Sequence, residues 1–208
     1  MYGGAISYNV GTAGVQLGGG TGSTFNMHGG TISNNTTTAS GAGVGLSTDS
    51  VFNMHGGTIS NNTAGGRGVL AQGFNAVFNM YGGTISNNTA TINGGGVLII
   101  GTETVFNMRG GTISNNTAGS NSGGVHFNAL RGIFNMYYST ISDNVANNSG
   151  GGVVIAQSNS VFNMHGITIS NNTANNNNGG GIFVSAISAI LNFRSGTISN
   201  NTANLYDA

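Results

Sequence analysis

The stretch FNMHGGTISNNT, Phe25 to Thr36, returns almost unchanged from Phe52 to Thr63, from Phe78 to Thr89 and from Phe106 to Thr117. The Ile of its TIS recurs at Ile6, Ile32, Ile59, Ile85, Ile113, Ile141, Ile169 and Ile198, in steps of 26 to 29 residues. The preceding Met keeps step at Met1, Met27, Met54, Met80, Met108, Met136 and Met164, with Phe193 closing the column. A third column follows glycine-rich stretches at Val15, Val44, Val69, Val97, Val125, Val153 and Ile182. Such a period along the whole chain defines a repeat array.

Within a repeat the apolar period is two. Phe106 and Met108 share one face and Asn107 takes the other; Ile113 opposes Thr112 and Ser114. That alternation marks strands rather than helices. Each repeat holds three short strands separated by Gly-rich or Asn-rich corners, and the natural partner of each strand is its copy one repeat away. The expected fold is all-β: a single right-handed parallel β-helix domain over residues 1–208, with seven to eight coils of 26–29 residues. Like residues then stack. Phe52, Phe78, Phe106, Phe134 and Phe162 form one interior ladder, flanked by the Met and Ile columns. The Gly-Gly pairs suit tight bends, and the Asn pairs suit left-handed corners and axial amide ladders.

Composition narrows the function. Of 208 residues, 4% are charged and the net charge is zero, which argues against nucleic acid and anionic membrane surfaces as partners. A charge at a repeated position would face its own copy, which explains the scarcity. No Cys is present, so thiolate metal sites and disulfides are excluded. No apolar run is long enough to span a bilayer. The first residues, MYGGAISYNV, lack the pattern of a signal peptide.

The motif ISNNTATINGGGV, Ile85 to Val97, resembles the paired FxxN and GGAI motifs of chlamydial polymorphic outer-membrane proteins and related autotransporter passenger repeats. Ile85 stands where that family has Phe, and GGGV stands for GGAI. The resemblance covers essentially the whole chain. It implies the β-helix and an adhesin-like role outside the cell or at its surface.

Asp49 and Glu103 occupy the same corner two coils apart, about 9–10 Å, a spacing compatible with an inverting carboxylate pair. A surface ion pair between Glu103 and Arg131 is the preferred reading. His28 and His55 lie on successive coils, but two ligands make an incomplete metal site. Thr31, Thr58, Thr84, Thr112, Thr140, Thr168 and Thr197 form an outward column, with Ser33, Ser60, Ser86, Ser114, Ser142, Ser170 and Ser199 beside it. This hydroxyl face resembles that of β-solenoid ice-binding proteins. The NNT triplets at Asn34, Asn61, Asn87, Asn115, Asn171 and Asn200 match the glycosylation signal but read as corner chemistry. Leu70, Leu98, Ile100, Val154 and Phe183 are expected to point outward as a lateral contact stripe.

The expectation is a non-enzymatic structural protein, without cofactor or metal, that associates with itself head to tail into filaments. Surface glycans are a further candidate partner. Neither end carries a recognisable cap, which fits either a piece of a longer array or ends that join other copies; the second is the preferred reading, although continuation of the coil between copies would lack two strands at each junction. Ice binding is the first alternative and a glycan-active β-helix enzyme the second.

Overall fold

The computed structural model describes residues 1–18, 22–37, 43–65 and 67–204, except for the side chain of Ala64. Among these residues there is no helix. The chain winds as a parallel β-solenoid of about seven turns. Every strand pairing between neighbouring coils is parallel, and the repeated columns stack like on like: Phe78 between Phe52 and Phe106, Ile85 between Ile59 and Ile113, Val97 between Val69 and Val125.

The second to sixth coils each carry four strand segments, one more than the periodicity predicts. After the FNM strand (Val105–Met108 in one coil) and the TIS strand (Thr112–Ser114) comes a two-residue strand, Thr117–Ala118, before the Gly-Val strand Val125–Leu130. A strand that short shows no alternation, so period-two reasoning passes over it. The FNM and TIS strands belong to one 13-stranded sheet, joined where Val161–Ser170 and Ile190–Ser199 each run through the corner as a single ten-residue strand. The Gly-Val strands form a seven-stranded sheet, and the Thr-Ala strands close the third side.

The interior is a bundle of ladders. Phe25, Phe52, Phe78, Phe106, Phe134 and Phe162 stack with ring centroids 5.3, 5.0, 4.8, 4.7 and 4.4 Å apart. Met27 to Met164 and Ile32 to Ile169 are fully or almost fully buried beside them, while Ile198 in the last coil is exposed. The second Gly of each corner explains why glycine stands there. Gly111 has φ +82°, and a methyl built on it would meet Met80 Cε and the Gly83 carbonyl at 2.7 Å. The methyls of Met1, Met27, Met54 and Met80 thus occupy the space that the next coil's glycine leaves open.

The Asn pair divides its labour. The first member takes the left-handed conformation, with φ near +55° at Asn34, Asn61, Asn87, Asn115, Asn171 and Asn200. The second turns inward and is buried. Asn116 Nδ2 donates to Asn144 Oδ1 at 3.0 Å and to the Ile85 carbonyl at 3.0 Å. Its Oδ1 accepts from the backbone N–H and from Nδ2 of Asn88, both at 3.0 Å. The same pattern runs from Asn9 through Asn35, Asn62, Asn88, Asn116, Asn144 and Asn172 to Asn201. A buried amide costs free energy unless its hydrogen bonds are made, and here the neighbouring coils make them.

One expectation fails. Leu70, Leu98 and Val154 are buried and Ile100 and Phe183 half-buried, so they form no exposed lateral stripe. They do point away from the core, but the corner loops fold back over them. A methyl on Gly94 would meet Leu98 Cβ at 3.0 Å, one on Gly179 would meet Phe183 Cβ at 2.7 Å, and one on Gly150 would collide with Val154. These loops stack as the strands do: Gly94 N–H donates to the Asn121 carbonyl and Gly150 N–H to that of Asn178. Gly-Asn-Ser composition gives a loop thin enough to lie flat on a sheet.

Candidate functional site

The outer face of the 13-stranded sheet carries the regular polar columns. Nearest the FNM strands is a second amide ladder, on the surface. Asn53 donates to Asn26, Asn79 to Asn53, and so on through Asn107, Asn135 and Asn163 to Asn192, at 2.7–2.9 Å. Its polarity is opposite to that of the buried ladder: here each coil donates to the one before it. One N–H and part of each carbonyl remain free toward solvent.

The next column stacks planar side chains. Tyr2, His28, His55 and Tyr81 lie nearly parallel with centroids 4.5, 4.6 and 4.8 Å apart, and Arg109 Cζ sits 5.8 Å from the Tyr81 ring centre. Because each face is covered by the neighbouring ring, the column shows its edges to solvent. That removes the sugar-stacking use of such a strip in this part of the molecule. Among the described residues no three His, Cys, Asp or Glu side chains come together as a metal site.

At coils six to eight the column changes. Gly110-Gly111 is replaced by Tyr138-Ser139, then by Gly166-Ile167. The positive φ moves from the second corner residue to the first, +47° at Tyr138 and +63° at Gly166. The second residue is thereby turned inward: Ser139 and Ile167 are buried, and Ser139 Oγ donates to the carbonyls of Met108 and Tyr137. Tyr138 is left standing outward, 70% exposed, with its hydroxyl 3.1 Å from His165 Nε2. Between the last two coils the register slips: Met164 pairs with Phe193, but His165 pairs with Ser195. Arg194 is the extra residue of a β-bulge. Ser195 Oγ accepts from Gly166 N–H at 2.9 Å and fixes that bulge. A groove of about 780 Å³ opens here, lined by Tyr137, Asn163, His165, Asn192, Phe193 and Arg194 among others. Periodic reasoning treats these coils as more of the same and misses the groove. The departures Tyr138-Ser139 and Arg194-Ser195 were the available signal.

The hydroxyl face is shallower than expected. The Thr column is in register and half-exposed from Thr31 to Thr168, and Thr197 is exposed. Ser33, Ser60, Ser86 and Ser114, however, are recessed at 8–9% exposure, and only Ser142, Ser170 and Ser199 are more open. Asn34 and Asn87 reach back to the hydroxyls of Ser33 and Ser86 and help cover them. Over those coils the array is one rank deep.

The acid corner is a left-handed column of its own: Asp49, Asn75, Glu103, Arg131, Asn159 and Ser188 all have φ between +53° and +59°. Asn75 Nδ2 donates to Asp49 Oδ1 at 3.0 Å, and Arg131 Nε and Nη2 both bond Glu103 Oε1, at 3.2 and 2.9 Å. Both carboxylates are therefore engaged by neutral or cationic neighbours of adjacent coils. Asp207 lies outside the described residues.

One ionisable pair is buried. Arg67 lies under the corner loops, bonding the carbonyls of Asn93 and Gly65. His126 stands in the covered column with Leu98 and Val154, and its Nδ1 has no hydrogen-bond partner. Burial, then the charge of Arg67, pushes the His126 imidazole down to about 4.

No family model, no curated protein and no solved structure matches the chain.

Proposed function

We propose that the chain is a non-enzymatic, adhesin-like structural module that works outside the cell or at its surface and stacks head to tail on copies of itself. The carrying observation is the polarity of the two amide ladders. In the buried ladder every coil donates to the next; in the surface ladder every coil donates to the one before. Asn201 keeps an Nδ2 hydrogen beyond its bond to the Ile169 carbonyl and Asn9 keeps its Oδ1, so the last coil's face complements the first coil's along the buried ladder. Apolar residues on the last coil, Leu191, Phe193 and Ile198, are exposed as an interior ladder would leave them. The likeness to polymorphic outer-membrane protein repeats, carried by ISNNTATINGGGV, supports the same setting.

The test is light scattering and negative-stain electron microscopy across a concentration series. Filaments or end-to-end dimers are expected, and Phe193→Asp should disperse them. Protein that stays monomeric at millimolar concentration overturns the reading.

Ice binding remains the second reading because the Thr column is straight and in register over seven coils. It requires thermal hysteresis that Thr112→Tyr abolishes. A glycan-active enzyme is third; it would need cleavage that depends on Glu103, whose carboxylate is held by Arg131.

A further inference from the structure

We infer that the groove beside Arg194 is a binding site for a carboxylated glycan, lying along the solenoid axis with a uronate carboxylate on the Arg194 guanidinium. This deepens the surface-module reading by giving it a ligand.

Three independent features place the ligand here. The first is construction. The outer columns are regular through five coils and depart from register where the groove opens. A β-bulge re-aims the residue it carries, and here that residue is Arg194. Tyr138, held in a left-handed conformation that a tyrosine rarely adopts, packs over Gly166 and bonds His165, which fixes the imidazole at the groove wall. Backbone conformations of this kind cluster at binding sites.

The second is charge. The described acids, Asp49, Glu103 and Asp143, stand on other corners of the coil, and none lines the groove. Arg131 is paired with Glu103 and Arg67 with backbone carbonyls, whereas Arg194 is exposed and, among the described residues, has neither a salt bridge nor a hydrogen bond. An unpaired guanidinium with its planar fork of donors selects a carboxylate.

The third is the floor. Asn163 and Asn192 belong to the surface amide ladder and each retains hydrogen-bonding capacity beyond its ladder bond. Amides at the coil spacing, with the Tyr137 phenol alongside, suit a ligand that presents hydroxyls at regular intervals. A volume of about 780 Å³ is in the range of small-ligand clefts.

Titration calorimetry with a short oligomer of glucuronic acid tests the assignment. Saturable binding is expected, weakened about tenfold or more by Arg194→Gln and several-fold by Tyr138→Phe, with Arg109→Gln unchanged as the control on the same column. A glucose oligomer of equal length should bind about tenfold more weakly or not at all. Absence of saturable binding, equal losses for Arg194→Gln and Arg109→Gln, or equal affinity for a glutamate oligomer would each overturn it. Circular dichroism of the Arg194→Gln and Tyr138→Phe proteins separates lost binding from lost fold. Light scattering on the same samples reports self-association separately, so failure of one proposal leaves the other readable.

Discussion

Coils two to five and coils six to eight are built from the same repeat and behave differently. From Phe25 to Leu130 each corner is Gly-Gly, the outer rings lie parallel, and each residue sits over its copy. From Ile133 onward the corner glycines give way, the left-handed residue moves by one position, Tyr138 meets His165 edge-on at an interplanar angle of 87°, and the register slips at Arg194. The core ladder does not register the change: Phe134 and Phe162 stack at 4.4 Å, as closely as any pair. Interior stacking therefore sets the coil, and the outer corner is free to vary on top of it.

The comparison is broken most severely from inside. Phe106→Ala opens a cavity between Phe78 and Phe134 and should cost about 4 kcal/mol in chemical denaturation. Phe193→Ala, at a half-exposed end position, should cost about 1 kcal/mol. If the two losses are equal, the ladder is not the source of stability.

Next is the buried amide. Asn116→Leu leaves the Asn88 backbone N–H without its acceptor and removes the side-chain donor to the Ile85 carbonyl and to Asn144 Oδ1, which keeps only the backbone N–H of residue 116, and should cost about 3 kcal/mol. The surface amide Asn107→Leu, which breaks a half-exposed ladder, should cost less than about 1 kcal/mol.

Acid gives a change of similar size. The folded state holds His126 neutral down to about 4, whereas an unfolded chain protonates near the ordinary value of 6.5. The unfolded state binds the extra proton, so this contribution is whole above about pH 6.5 and is lost as pH falls toward 4. The loss amounts to roughly 3 kcal/mol. His126→Leu should flatten the stability profile between pH 7 and pH 4, read by urea midpoints.

At the corners the effects are smaller than those of the buried Phe, Asn and His. Gly111→Ala places a methyl against Met80 Cε and the Gly83 carbonyl at positive φ and should cost about 2 kcal/mol. Tyr138→Gly relieves an unfavourable φ but gives up the contact with His165, so its unfolding free energy in urea should change by no more than about 1 kcal/mol. A large loss there would mean that the outer corner of the later coils is structural after all.

Much of this architecture was legible in the chain because repetition makes each inference many times over. The recurrence of Phe, Met and Ile fixed which strands pair and which residues face inward. The Asn pairs announced corners. Less legible was whatever depended on elements lacking a period. The Thr-Ala strand is too short to alternate. The loops over Leu70, Leu98 and Val154 declare themselves only by being thin. Ser33 and its copies read as outward-facing, and only packing shows them recessed.

By itself, then, the sequence determined the parallel stacking, the strand register and the interior columns, since identical residues at one spacing leave a single arrangement that buries every apolar ladder. Only the tertiary structure decided which Asn of each pair goes inside, that the Leu98 column is covered, and that Arg194 is turned out by a bulge beside His165. Those outcomes depend on backbone conformation at single corners and on contacts between coils, where a difference of one dihedral angle moves a side chain from core to surface.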